Sequence, residues 1–536
     1  MHKKSLMILG AGLLQLPAIR TAKDLGCKTL VVDGNPSALG RAEADVFEAV
    51  DLKDLNGLME CAGKWQTQYG LDGVFTAGTD FSTSVAYLAE QFHLPGIPFQ
   101  TALNATNKAR MRTRFKESGV PSPAFLEVGL EQVSRLKDWI PAFPLVLKPV
   151  DNMGARGVVR VDSMKELERR ILESFQYSRS GKVIVEEFIA GQEFSLDALI
   201  YKGEIQICGV ADRHIRFSPN FVEVGHTIPT QAPLEIQREV EGVFIKGIRA
   251  LGIHTGAAKG DIFYSPQTGG VVGEIAARLS GGYMSGWTYP YSSGVNLTEG
   301  AIKIALGEPP GDRTPHLSYT AAERALISIP GRVIAIEGVE EASRTPNVRD
   351  IFLRVRQGDR VVFPTNNVEK CGNIIAAAPT RAQAVQAAEE AVSKIAILLD
   401  PLDDATEAFL FTSEWKDERS CFPLDTELMN RLRTRPWQVN SLSDSLKERL
   451  FPDFPLPILL PPSLEKRTSW NYDSVPHLLE RLRFYTSRWQ GSPWIGRWVP
   501  GALFWYVLLR GGLQGVVWMF DRVTLCTSLE QVKEFQ

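Results

Sequence analysis

Two short segments, far apart in the chain, are each incomplete alone and together constrain the fold. The first is Val146-Leu147-Lys148-Pro149, followed by Asp151-Asn152-Met153-Gly154-Ala155-Arg156-Gly157. It predicts a buried strand that carries a lysine and runs into a glycine-bearing loop. A lysine among apolar strand residues is costly unless an anion meets it. Glycines let backbone amides approach such an anion closely, which suits phosphate. The second segment is Lys259-Gly260-Asp261-Ile262, then Ser265-Pro266-Gln267-Thr268-Gly269-Gly270, then Gly273-Glu274-Ile275-Ala276-Ala277-Arg278. It predicts a hairpin whose ladder brings Asp261 and Glu274 to one end. Two carboxylates so placed suit Mg²⁺, which takes one or two carboxylates and completes its shell with substrate phosphates. The fold must therefore bring remote strands to one site, and the chemistry points to the phosphate end of ATP.

The remaining chain predicts several α/β layers. Over residues 1–100, apolar strands (Leu6–Leu9, Thr29–Asp33, Gly73–Thr76) alternate with helical stretches (Leu13–Leu25), the pattern of a parallel, doubly wound sheet. The basic opening residues read as the start of that first strand rather than as a leader, because glycine, glutamine and proline soon break the apolar run. Gly10-Ala11-Gly12, with Asp33 at a strand end, is half of a dinucleotide fingerprint. Gln15 holds the third glycine's place, so a tight turn is the expectation. A helix is expected from Lys108 to Ser118 and strands around Val146, Val183 and Phe194–Ile200. A polar loop is expected around 216–233, and an alanine-rich helix from Arg381 to Leu399.

Composition narrows the function. A chain of 536 residues holds several domains, and a net charge of −3 argues against a nucleic-acid binder with a broad basic surface. The six cysteines show no CxxC spacing, so neither a disulfide framework nor a zinc site is expected and a reducing cytoplasm is the default. No cysteine sits among residues that would lower its pKa, which speaks against a thiol nucleophile. His214, beside Asp212 and Arg213, is open between a substrate contact and an ordinary loop histidine.

These residues, in this order, resemble the ATP-grasp superfamily over about residues 5–400. The likeness is to the branch with biotin carboxylase, carbamoyl-phosphate synthetase, purine-pathway ligases and L-amino acid ligases. The resemblance implies an α/β and α+β multidomain chain. Its parts would be a Rossmann-like domain at 1–100, an ATP-grasp domain at 101–330 with a lid subdomain near 115–190, and a small α+β closing subdomain at 331–400. A mainly helical C-terminal appendage would follow at 401–536. It implies Lys108, Lys148, Gly154 and Gly157 at ATP phosphates. Glu186, Glu187 and Ile189 would lie at adenine and Glu193 at ribose, with Asp261 and Glu274 on Mg²⁺ or Mn²⁺. Arg278 and Lys148 would be catalytic, Arg278 on the transferred phosphate or the carboxylate. Where the family often has an asparagine ligand after Glu274, this chain has Ala276, which puts a second metal in doubt.

The implied reaction activates a small carboxylate, such as an amino acid, as an acyl phosphate for attack by an amine. Catalysis would come from positioning and charge neutralisation. The competing expectations are a bicarbonate-using carboxylase or carbamoyl-type enzyme, and a non-catalytic ATP-binding scaffold. The tail is tryptophan- and arginine-rich (Trp489, Trp494, Trp498, Trp505, Trp518), with an apolar run from Val499 to Phe520 that contains Arg510. A spanning helix would bury Arg510 at the midplane, which is expensive. That leaves a packed helical appendage, a homodimer surface, or peripheral membrane contact through residues 480–525.

Overall fold

The computed structural model describes residues 3–139, 142–411, 419–422, 467–489 and 501–525. The chain divides into two compact units. The first holds residues 1–215, 219–323 and 377–385, and the second holds the rest.

The first unit opens with β1 (Ser5–Leu9), β2 (Lys28–Asp33), β3 (Val46–Ala49) and β4 (Gly73–Phe75), a parallel sheet of order β3-β2-β1-β4. Both faces of β1 are buried, as a continuous apolar run requires under helices on each side. The Gly10–Gly12 turn is tight, as expected. The Gly10 amide donates to Val32 O at 2.8 Å, the Ala11 amide to Asp33 Oδ2 at 2.7 Å, and Gln15 donates to Ala77 O at 2.6 Å. The expected helix at 13–25 begins with a 3-10 turn, Leu13–Gln15, before the helix Leu16–Asp24. Strand β3 has no counterpart among the expected strands.

Next come β5 (Phe125–Gly129), β6 (Leu145–Pro149), β7 (Val159–Val161) and β8 (Lys182–Glu187), an antiparallel sheet of order β5-β8-β6-β7. Alternation splits its faces. Leu145, Leu147, Val159, Val183 and Val185 pack on the helix Met164–Gln176. Val146, Lys148 and Glu186 face a cleft. A third sheet runs from β9 (Gln192–Tyr201) through β10 (Glu204–Arg216), β11 (Val222–Ile228), β12 (Gly256–Ser265) and β13 (Gly269–Ala276) to β14 (Thr320–Leu326). Its order within this unit is β13-β12-β9-β10-β11-β14. The expected loop at 216–233 is therefore wrong: β11 is a wholly buried strand. Its Glu223 and His226 disguise it in the sequence, because the partners that satisfy them are remote.

In the second unit, β15 (Gly331–Glu337) pairs antiparallel with both β17 (Arg360–Val361) and β19 (Ala396–Leu399), and β16 (Val348–Leu353) pairs with β18 (Gly372–Ala378). The expected helix at 381–399 stops at Lys394. Its last residues form β19, because Ala396-Ile397-Leu398-Leu399 is an apolar run buried on both faces.

The helix Gly501–Thr524 packs on β19, on the helix Asp404–Phe411 and on the helix Val475–Leu482. A break at Gly512, with φ of 60°, falls where the Gly511-Gly512 pair predicts one. The apolar side chains of this helix described from Phe504 onward are covered by protein, among them Trp505, Leu508 and Trp518. Arg510 is also buried. It donates to Phe409 O at 3.1 Å and Arg419 O at 2.8 Å and lies 4.1 Å over the Phe409 ring. Burial pushes its guanidinium down to about 10. Trp489 donates to Asp521 at 2.7 Å. The aromatic and arginine pattern of these residues is thus accounted for by packing. Trp494 and Trp498, part of the same expectation, lie outside the described residues. No helix among the described residues is long and apolar enough to cross a membrane.

Candidate active site

A cleft opens in the first unit. One wall is the cleft face of β6 and β8, and another is the β12–β13 hairpin. Most of the expected residues line it: Lys108, Lys148, Gly154, Glu186, Glu187, Ile189, Glu193, Asp261 and Glu274.

The carboxylates are placed by strand register. Asp261 on β12 sits directly opposite Glu274 on β13, so both side chains leave one face of the ladder. Lys259, two residues before Asp261, shares that face and holds its carboxylate as an ion pair. Asp261 also accepts from Ser195 Oγ at 2.8 Å and lies 3.5 Å from Arg213. Burial alone would raise the Asp261 and Glu274 carboxyls. Arg213 and Lys259 reverse this for Asp261, and Lys108, Lys259 and Lys148 for Glu274, so both are held well below the usual carboxylate range. Two ionised, hard-oxygen donors on one face fit a divalent cation that takes its remaining ligands from phosphate. Among the described residues no group of three or more His, Cys, Asp or Glu side chains forms a metal cluster.

Lys108 opens the helix Lys108–Glu117, capped by Asn107, whose side chain accepts from the Arg110 amide at 3.0 Å. Its ammonium lies 3.2 Å from Glu274 and donates to Asn152 O at 2.8 Å. One lysine therefore ties the glycine loop to the carboxylate pair. In that loop Gly154 and Gly157 have φ of 66° and 70°. At Gly157 a Cβ would fall 2.9 Å from Pro149 Cγ and from the Tyr177 ring, so both the turn and the close approach require glycine. Gly157 braces the loop and does not line the cleft.

Lys148 and Glu186 are diagonal neighbours on adjacent strands, 2.6 Å apart. Glu186 is 1 % exposed and lies 2.8 Å from Arg112, which sequence reasoning passed over. Burial would raise the Glu186 carboxyl, but Arg112 and Lys148 outweigh it and hold it low. Glu186 thus positions Lys148 while it lines the pocket. In the hinge after β8, the Glu187 amide donates to Ala124 O at 2.9 Å and the Phe188 amide to Pro144 O at 3.3 Å. Glu193 pairs with Arg213 at 2.9 Å, and burial raises its carboxyl despite that arginine.

Arg213, Lys259, Glu223 and His226 were not singled out from sequence, although Lys259 and Arg213 lie beside residues that were. Arg213 joins Glu193, Glu223 (3.0 Å) and Asp261. His226, buried, lies 2.8 Å from Glu323 and 3.6 Å from Glu223. His214 contacts Thr227 at 2.9 Å. Arg278 is placed apart from the other expected residues. It lies two residues past the end of β13 and lines a neighbouring cavity.

Burial would lower the His226 pKa, but Glu223 and Glu323 outweigh it and raise the imidazole above its usual value. The charged pairing therefore stabilises the fold fully below about pH 6.5 and is lost as pH rises through the raised value. Between neutral and alkaline pH the wild type should lose more thermal midpoint than His226→Gln does. Equal losses in a thermal melt series would show that His226 is neutral throughout.

Residues 141–286 match the ATP-grasp domain model. Downstream of that domain, residues 324–400 match the model for the L-amino acid ligase C-terminal domain 2. The crystal structure of an L-amino acid ligase from Bacillus licheniformis is 25% identical, with a TM-score of 0.65, covering 75% of this chain and all of that one. An L-arginine-specific L-amino acid ligase from Bacillus subtilis is 26% identical over 298 residues, 51% of this chain and 67% of that one. A carboxyaminoimidazole ribonucleotide synthase from Aspergillus clavatus complexed with ATP shares the fold, at 17% identity and a TM-score of 0.60, covering 73% of this chain and 98% of that one.

Proposed function

We infer that the chain is an ATP-dependent ligase that joins a small carboxylate to an amine. The observation that carries this is Asp261 facing Glu274 in one cleft with Lys108 and Lys148. ATP would lie with its base toward the Glu187–Ile189 hinge and its phosphates toward the lysines and the glycine loop. A divalent cation bound at Asp261 and Glu274 would neutralise charge on the triphosphate. An oxygen of the acid attacks the γ-phosphorus, the bond to the bridging oxygen breaks, and ADP leaves. The amine nitrogen then attacks the acyl carbon, the carbon–oxygen bond breaks, phosphate leaves and the nitrogen gives up a proton. Lys108 and Lys148 hold the phosphates in line, and Arg278 receives the acid carboxylate. Closure of the 151–157 loop would keep water from the acyl phosphate.

The proposed domain boundaries near residues 100, 330 and 400 belong to this reading. The match over 324–400 supports the middle one. A reducing cytoplasm is consistent with the free cysteines among the described residues. Membrane contact and homodimer formation gain no support from those residues.

The test is ADP release from MgATP with pooled amino acids and amines, with hydroxylamine added to trap an activated acyl group as a hydroxamate. Acid-dependent ADP release with hydroxamate formation is expected. ATP binding without turnover under every pool would refute the ligase and leave a scaffold.

A further inference from the structure

The first unit contains a second cavity that the reaction as described leaves without an occupant. It lies along β4. At one end stands Arg278, because a bridge from Ala77 to Leu279 ties the end of β4 to the residue after the arginine. At the other end are Ile304 and Ala305, and here Gly73 packs so closely that a Cβ would sit 2.4 Å from Ala305 O. Three strand residues separate the ends, about 10 Å. The walls are apolar: Val74, Phe75, Val85, Ile97 and Ile304.

The polar side chains are Arg278 and the hydroxyls of Thr76, Ser82 and Thr255. Arg278 is the one charged side chain among the described residues that line the cavity. Its Nη1 donates to Leu279 O at 3.0 Å, while its Nε is buried with no hydrogen-bond partner. A buried, unsatisfied guanidinium donor favours an anion, and a planar carboxylate matches its geometry. No acidic side chain lines the cavity, so a cation at its depth would be unpaired.

The cavity adjoins the end of the hairpin that carries the carboxylate pair. Lys259 pairs with Ala276 across the same ladder face as Asp261 and Glu274, and Arg278 lies two residues beyond Ala276. The backbone turns between them, the Arg278 amide donating to Ala276 O at 2.9 Å just past the end of the strand.

We propose that this cavity holds the acid substrate, its carboxylate on Arg278 and its body along β4, so that the enzyme selects acids with an uncharged aliphatic or aromatic side chain. The proposal rests on the ligase reading for the chemistry but not for the binding. Val85 lies on the wall and outside the phosphate cleft, which makes it the position to vary.

Two measurements test it on the full chain. The first is calorimetric titration with L-leucine, L-phenylalanine, L-arginine and L-aspartate without nucleotide. The second is ADP release from MgATP with the same four acids and a fixed amine. Leucine and phenylalanine should bind and drive turnover, and arginine and aspartate should do neither. Val85→Phe should weaken phenylalanine about tenfold, the scale of a filled apolar pocket. Val85→Ala, the milder change, should move the preference toward phenylalanine. A preference for arginine or aspartate overturns the proposal and leaves the ligase intact. So does an order of acids that neither Val85 variant alters. Binding that depends on Val85 without turnover by any acid upholds the cavity and refutes the ligase.

Discussion

Glu274→Gln should reduce acid-dependent ADP release by about a thousandfold, the scale seen when one fixed charge-stabilising group is removed from a water-poor site. The carboxylate sits among Lys108, Lys148 and Lys259, which hold it ionised. Glutamine preserves its size and removes its charge. Lys108 then loses its partner at 3.2 Å while keeping Asn152 O, so the glycine loop stays tethered and the metal-facing charge is gone. The defect should be in kcat more than in the KM for ATP, because the adenine and ribose contacts lie at the other end of the cleft. Steady-state kinetics beside an unchanged circular dichroism spectrum checks this. A loss under tenfold would mean that Glu274 is not needed for charge neutralisation.

Deleting residues 501–536 should unfold the second unit rather than expose a stable core. The helix Gly501–Thr524 buries Phe504, Trp505, Leu508, Leu509, Val516, Trp518 and Phe520. At about 1.5–3 kcal/mol for each large apolar side chain, the loss matches or exceeds the 5–15 kcal/mol that usually separates folded from unfolded. Polar groups would be stranded too. Gln514 donates to Ser328 Oγ at 2.8 Å and Ile397 O at 2.9 Å and accepts from the Ile329 amide at 3.3 Å. Gln514→Ala alone should cost about 2–4 kcal/mol, since each buried unsatisfied group costs about 1–3. Urea denaturation of the point variant and limited proteolysis of the deletion read these effects. A deletion protein with native resistance over residues 331–400 would show that the tail is dispensable.

The parts of the molecule that sequence could and could not reveal differ for a physical reason. Lys148 on its apolar strand and the Asp261–Glu274 hairpin were readable because local patterning dictates them: a buried charge, a turn, and a register of two. The strand at 222–228 was not, since Glu223 and His226 look like loop residues until Arg213 and Glu323 come up beside them. Arg112 was invisible for the same reason, as its role depends on Glu186 from a distant strand. The end of the 381–394 helix failed differently. An alanine-rich run continues to favour helix, and only the edge of β15 turns its last residues into strand. The tail shows the limit of composition, because its tryptophans and arginines would suit a bilayer surface as well as a protein core.

Asn471 bears on how the chain reaches its native state during synthesis. Its side chain accepts from the Ile327 amide at 2.9 Å and donates to the Ile327 carbonyl at 2.8 Å, and Gln514 clasps the next two residues. Those backbone groups leave the ribosome well before the side chains that satisfy them. At about 5–20 residues per second, the segment around residue 327 would wait some ten seconds or more for its last partner. The second unit therefore completes its folding only after residue 514 has been made. Until then its strands resemble an unprotected sheet, a natural client for a chaperone that shields exposed backbone.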